Sequence, residues 1–124
     1  MKVAWDRLLN LTLWALQVFL ALTFLCSGAG KFNPHSIFWI ELFAKIGMGQ
    51  WFRYFTGGLE LICAVLLLIP GSSAIAAALL ACTMVGAILA HVFMLRDGYA
   101  AIFPGLPLML LVAIAWKRRL APSR

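Results

Sequence analysis

Glu60 is the strongest candidate in this sequence for a chemical role, because it is the only acidic residue within the long apolar segments. A carboxylate in hydrocarbon costs on the order of 3 kcal/mol or more, and it usually faces protein, water or a ligand. It can be neutralised by protonation, paired with a cation to hold helices together, or used to bind a ligand or exchange a proton. Glu60 is therefore the first candidate site residue.

Two more ionisable residues, Lys31 and His91, are predicted to lie at the depth of Glu60. Lys31 follows the first apolar segment, and His91 lies about one turn before the end of the third. A carboxyl and an imidazole suit quinol chemistry, in which two protons leave with two electrons. The structural alternatives are pairing of Glu60 with either residue and extension of the lysine to the headgroups. Second-tier candidates are Arg53, Arg96 and Gln17, and no metal site is predicted because Glu60 and His91 alone are too few ligands.

Four apolar segments must position these residues. The chain has 124 residues, of which 65% are hydrophobic and 11% are charged, and this composition excludes a soluble globule. Predicted helices cover residues 8–29, 52–69, 73–95 and 101–116. At about 1.5 Å per residue, the first three reach or approach the thickness of a bilayer. We predict an all-α polytopic membrane protein, a four-transmembrane-helix bundle forming a single domain over residues 1–124.

Two connections carry further predictions. Residues 36–46 are rich in aromatic and aliphatic side chains, and Glu41 and Lys45 share one narrow polar face. This pattern predicts a short helix lying in the membrane interface between the first two spans. The fourth segment begins with Pro104-Gly105-Leu106-Pro107, which predicts either a kinked first turn or irregular backbone within the membrane.

The third predicted helix carries a stripe of small residues at four-residue spacing: Ala74, Ala78, Cys82, Gly86 and Ala90. Small residues let helices approach closely in a membrane. The stripe therefore predicts that this helix is central to the bundle and that a leucine at Gly86 would damage folding or assembly. On the second helix, Gly57 shares a face with Glu60, and that face is predicted to point inward.

The formal charge of +6 sits mainly at the ends of the apolar segments, with Lys117-Arg118-Arg119 directly after the last one. This arrangement is typical of topology signals and headgroup contacts, and it predicts that both termini are cytoplasmic. It does not provide the distributed phosphate contacts of a nucleic-acid-binding protein. The three cysteines form no Cys-x-x-Cys motif, which argues against a dithiol relay.

Several of these features together resemble the DoxX-like membrane proteins. They are Ser27-Gly28-Ala29-Gly30-Lys31-Phe32 closing the first helix, Gly57-Gly58-Leu59-Glu60-Leu61 in the second, the Pro70-Gly71 turn, and the late histidine of the third. The resemblance implies a small four-helix protein of the bacterial inner membrane. Some relatives are named for a thiosulfate:quinone oxidoreductase subunit, others are linked to membrane complexes in thiol and oxidative stress, and a distant eukaryotic branch assists receptor assembly.

Three functions are compatible with the sequence. The first is a subunit or assembly partner of a membrane complex, either with other membrane proteins or as a homo-oligomer. The second is binding of a lipid-soluble small molecule, such as a quinone or a lipid, at an outward-facing polar pocket around Glu60. The third is a small proton-coupled transporter. No complete catalytic set is present, so we do not expect the chain to be an enzyme by itself, and no covalently bound cofactor is expected.

Overall fold

The computed structural model describes residues 2–96 and 98–119, and all regular secondary structure in that part of the chain is helical. This confirms the all-α prediction. The helices are α1 (Lys2–Lys31), α2 (Ile37–Ile46), α3 (Gln50–Leu67), α4 (Ser73–Leu89) and α5 (Ile102–Arg119). A π-helical turn, Ala90–Met94, continues α4, and a 3-10 turn, Gly98–Ala101, precedes α5.

Three helical segments of the described residues are long and apolar enough to cross a membrane: Lys2–Lys31, Ser73–Met94 and Gly98–Arg119. Helix α3 has a sufficient length of 18 residues. However, it contains the polar residues Gln50, Arg53 and Glu60, and it is not among the three segments that are apolar enough to cross a membrane. The four-span count therefore remains a prediction, as does the position of α2 at the membrane interface.

The four long helices, α1, α3, α4 and α5, pack in chain order around a shared core. Helix α1 runs along α3, α3 contacts α4, and α4 packs closely on α5. The turn between α3 and α4 includes Gly71 at a φ of 85°, which a glycine adopts without strain. The chain therefore reverses between these helices, as the Pro70-Gly71 motif predicts. Helix α1 ends at one end of the bundle, which we call the Lys31 end. Helix α5 ends at the opposite end, which we call the Arg118 end.

The core consists of aliphatic and small residues from all four long helices. Its fully buried members include Leu20, Leu67, Leu80, Leu111 and Ile114. In hydrocarbon, burial of apolar side chains supplies little driving force, since lipid tails are as apolar as leucine. Close packing of small residues and polar contacts between helices must therefore hold the bundle together.

The structure corrects the prediction made from the small-residue stripe. Ala78, Cys82 and Gly86 are exposed, and a Cβ atom built on Gly86 would have no neighbour within 4 Å. Helix α4 instead packs through a second face, on which the buried residues are Ser73, Ala76, Ala77, Leu80, Ala81 and Met84. Because this helix has small residues on two faces, four-residue spacing alone could not identify the packed one. Within the chain, the stripe is not a packing seam.

Helix boundaries also differ from the sequence predictions. Helix α1 extends to both sides of residues 8–29, because the polar residues near its ends remain compatible with helix outside an apolar core. The Pro104-to-Pro107 segment lies inside α5, and the backbone there is not irregular. Pro104 occupies the first turn, where the missing amide proton costs no helical hydrogen bond.

Candidate functional site

The closest approach of α1 and α3 is made by two glycines, Gly28 and Gly57. A Cβ atom added to Gly28 would lie 2.8 Å from the Gly57 carbonyl oxygen, and one added to Gly57 would lie 3.0 Å from the Gly28 carbonyl oxygen. Both obstacles are backbone atoms, which cannot turn aside. The two glycine motifs singled out in the sequence therefore meet. Because α1 and α3 run antiparallel, Lys31 and Glu60 lie one turn to either side of this contact, and the long Lys31 side chain reaches across it to Glu60.

Lys31 and Glu60 form a buried ion pair across this crossing. The Lys31 ammonium donates to Oε1 of Glu60, and Glu60 is only 1% exposed. No donor among the described residues reaches the second oxygen, Oε2, although that atom is buried. Pairing with Lys31 was one of the alternatives that the sequence left open, and the prediction that Glu60 faces the bundle interior agrees with its burial.

Helix α2 covers the ion pair at the Lys31 end. The Lys31 ammonium lies 4.8 Å from the centre of the Trp39 ring and 6.0 Å from that of Phe43. The Trp39 indole rests beside Gly30, where a Cβ atom would come within 3.1 Å of its nitrogen. The aromatic faces interact favourably with the cation and separate it from the exterior. The site is therefore polar at its centre and aromatic on its outer side.

Arg53 ties the same region together through the backbone. Its Nη1 donates to the carbonyl oxygen of Lys31 at 2.7 Å and to that of Asn33 at 3.2 Å, and its Nε donates to Gln50 at 2.8 Å. A cation bound to the carbonyls that end a helix is also favoured by the helix dipole. Arg53 is 3% exposed and so belongs to this cluster. We call Lys31, Arg53 and Glu60, with Trp39 and Phe43 above them, the Glu60 cluster.

The contacts described above do not include the other two candidates predicted for this site, His91 and Arg96. Among the described contacts, neither Glu60 nor Lys31 is hydrogen-bonded to His91, which lies in the π-helical turn against α2 and the 3-10 turn. Arg96 is exposed in the connection to α5, with a φ of 54°. The Glu60 face of α3 packs on α1, and a position of His91 beside Glu60 remains a prediction.

Gln17 belongs to a second polar cluster, toward the Arg118 end. This fully buried side chain donates to the Leu67 carbonyl oxygen at 2.8 Å and to the Ser73 hydroxyl at 3.2 Å. Its own oxygen accepts a 2.6 Å bond from Nε of Arg118, whose Nη1 donates to Asn10 at 2.7 Å. The cluster thus joins α1, the turn between α3 and α4, and the end of α5.

Sequence reasoning missed the role of Arg118. As part of a basic triplet after an apolar segment, it was expected to contact lipid headgroups, whereas it is 3% exposed and turned into the bundle. A signal was present, because Asn10 and Gln17 are seven residues apart and therefore share one face of α1. Gln17, a second-tier candidate from the sequence, therefore belongs to a different polar cluster from Glu60.

The Glu60 cluster contains two cationic side chains and one carboxylate. It offers one buried acceptor atom and aromatic surface, and no cysteine or histidine is bonded to it among the described contacts. No group of three or more His, Cys, Asp or Glu side chains that could hold a metal ion occurs in residues 2–96 and 98–119. This chemistry suits recognition of a small polar group better than metal binding.

Comparison with known proteins places the chain in a family. Residues 15–114 match the DoxX-like family, a range that contains the whole Glu60 cluster and leaves out Asn10 and Arg118. Neither the curated proteins nor the solved structures gave a match. The family and the apolar helices indicate a small membrane protein. Because the match covers well over half of the sequence, the chain belongs to the DoxX-like family.

Proposed function

We propose that this protein is a non-catalytic subunit or assembly partner of a membrane protein complex, in the inner membrane of a bacterium with both termini in the cytoplasm. The proposal is supported by the exposed stripe of α4, formed by Ala74, Ala78, Cys82, Gly86 and Ala90. Ala78, Cys82 and Gly86 lie on the outer surface of the chain, and space above Gly86 is open. In a membrane, such a surface suits a transmembrane helix of another protein.

The surface of α4 beside the stripe carries large side chains instead of small ones. Ile75, Leu79 and Leu89 are exposed large aliphatic side chains of the kind that lipid tails accommodate. At the start of the stripe, Ala74 and Ala78 line a shallow groove that extends to Val112 and Ala115 of α5. Association of helices in lipid depends on close approach of their backbones. The small side chains of the stripe permit such an approach, whereas the large aliphatic side chains beside it do not.

The test is purification in a gentle detergent, followed by mass spectrometry of the proteins that copurify. We expect a defined partner with the wild-type chain and a loss of about tenfold or more with Gly86→Leu, at unchanged yield and thermal stability. Val18→Leu, on an exposed position of α1, is the matched control and should retain the partner. Recovery of the same partner with Gly86→Leu would contradict the proposal, and self-association alone would identify a second copy as the occupant.

A second candidate is binding of a lipid-soluble small molecule, such as a quinone, at the Glu60 cluster. The observation in its favour is the buried Oε2 atom of Glu60, which lacks a donor among the described residues. Buried acceptors of this kind are uncommon and often mark a binding or reactive site. A stoichiometric lipid-soluble molecule in the purified protein, such as a quinone or its quinol, would support this function. The transporter hypothesis is favoured by no specific contact among the described residues.

A further inference from the structure

We propose that the Glu60 cluster binds a neutral, membrane-soluble molecule through a hydroxyl group of that molecule, an alcohol or a phenol, which donates its hydrogen bond to Oε2 of Glu60. The inference rests on the second candidate function above, and it names the chemical class of the ligand. The Glu60 cluster would select a hydroxyl donor over a carbonyl compound such as a quinone.

The first step concerns the direction of the hydrogen bond. Oε1 of Glu60 accepts from the Lys31 ammonium, and the two side chains form an ion pair. An ionised carboxylate has only acceptor atoms. Whatever contacts Oε2 must therefore supply the hydrogen. A carbonyl oxygen at that position would face another acceptor, and it would be repelled.

The second step concerns the charge of the ligand. The cluster already holds two cations, Lys31 and Arg53, against the single carboxylate of Glu60. An ammonium group or a metal cation would add a third positive charge in a region of low dielectric constant, where repulsion is strong. A neutral hydroxyl carries the required hydrogen without that cost. Charge therefore selects hydroxyl donors over amines.

The third step concerns the rest of the ligand. Apolar and aromatic groups lie next to the ion pair: Gly28 of α1 packs against Cβ of Glu60, and Trp39 and Phe43 lie over the Lys31 ammonium. These surfaces favour an apolar or aromatic body attached to the hydroxyl. A membrane-soluble phenol combines both properties.

The experiment compares two probes that differ in the donor hydrogen, p-butylphenol and p-butylanisole. Binding is measured by titration calorimetry on the full chain in lipid nanodiscs, with empty nanodiscs subtracted. We expect saturable binding of the phenol and at least about tenfold weaker binding of the methyl ether, the minimum for losing a hydrogen bond to a charged acceptor. Equal affinities would overturn the donor requirement and leave small-molecule binding standing. Absence of saturable binding by both would overturn this inference together with the second candidate function.

Variants and spectroscopy locate the bond. Glu60→Gln should remove the preference for the phenol, because the amide can donate as well as accept. Glu41→Gln, on the exposed face of α2, is the control and should keep the preference. A preserved preference in folded Glu60→Gln would exclude Oε2 as the acceptor. If Glu60→Gln does not fold, the wild-type infrared difference spectrum replaces it: phenol binding should shift a carboxylate band, and an unshifted spectrum would overturn the assignment.

Discussion

Substituting alanine for Gly28 should destabilise the protein, whereas the same change at Gly86 should not. The new methyl group at Gly28 would lie 2.8 Å from the Gly57 carbonyl oxygen, 3.0 Å from the Leu61 side chain and 3.3 Å from Cβ of Glu60. Relief requires α1 and α3 to separate, which also loosens the Lys31–Glu60 pair. Overpacking of this kind costs about 1–3 kcal/mol of unfolding free energy.

At Gly86, the added methyl group meets nothing within 4 Å. Replacing a helical glycine by alanine where space is open typically raises the free energy of unfolding by about 0.4–1 kcal/mol. The two substitutions are chemically identical, so their opposite signs follow from position alone. The comparison isolates the packing of the α1–α3 crossing from helix propensity.

The assay follows reaction of Cys63 with a thiol-reactive fluorophore during thermal unfolding in detergent. Cys63 is buried, whereas Cys26 and Cys82 are exposed, so both exposed thiols are first replaced by serine. Gly28→Ala should lower the midpoint of the transition and Gly86→Ala should leave it unchanged or raise it. Equal midpoints for the two variants would refute the close crossing of α1 and α3.

Three further predictions concern the polar clusters and the topology. Lys31→Met and Glu60→Leu should each lower the free energy of unfolding by about 3–5 kcal/mol, because each leaves a buried charge unpaired. The double variant should recover most of that loss, whereas additive losses in the double-mutant cycle would show that the two residues are uncoupled. Gln17→Leu should cost about 1–3 kcal/mol in the same thermal assay, because Arg118 and the Leu67 carbonyl lose a buried partner, while Thr23→Val, at an exposed position, should change stability by less than about 0.5 kcal/mol. A reporter that is active only in the periplasm should stay inactive when fused after Arg124, and activity there would contradict cytoplasmic termini.

Helix content and the inward orientation of the Glu60 face of α3 were predictable because they depend on local patterns. Long apolar segments predict helices, and the spacing of Gly57 and Glu60 puts both on one face. The Pro70-Gly71 motif likewise predicts the reversal between α3 and α4. These features depend on residues close together in the sequence.

The arrangement of helices around the bundle was less predictable. Depth along the membrane normal put Lys31, Glu60 and His91 at one level, but depth alone does not determine the direction in which a helix presents a side chain. The same limit applies to α4, where two small-residue faces compete and contacts with α3 and α5 select one of them. Arg118 was misassigned because its partners, Asn10 and Gln17, are about a hundred residues away in the sequence.

The most direct test of the proposed function is photo-cross-linking in the native membrane from a reactive amino acid placed at position 86. We predict a cross-link to one defined membrane protein, with no such product from position 22 of α1, where Leu22 is also exposed. Cross-links to lipid alone from both positions would contradict the claim that the stripe of α4 receives a partner helix.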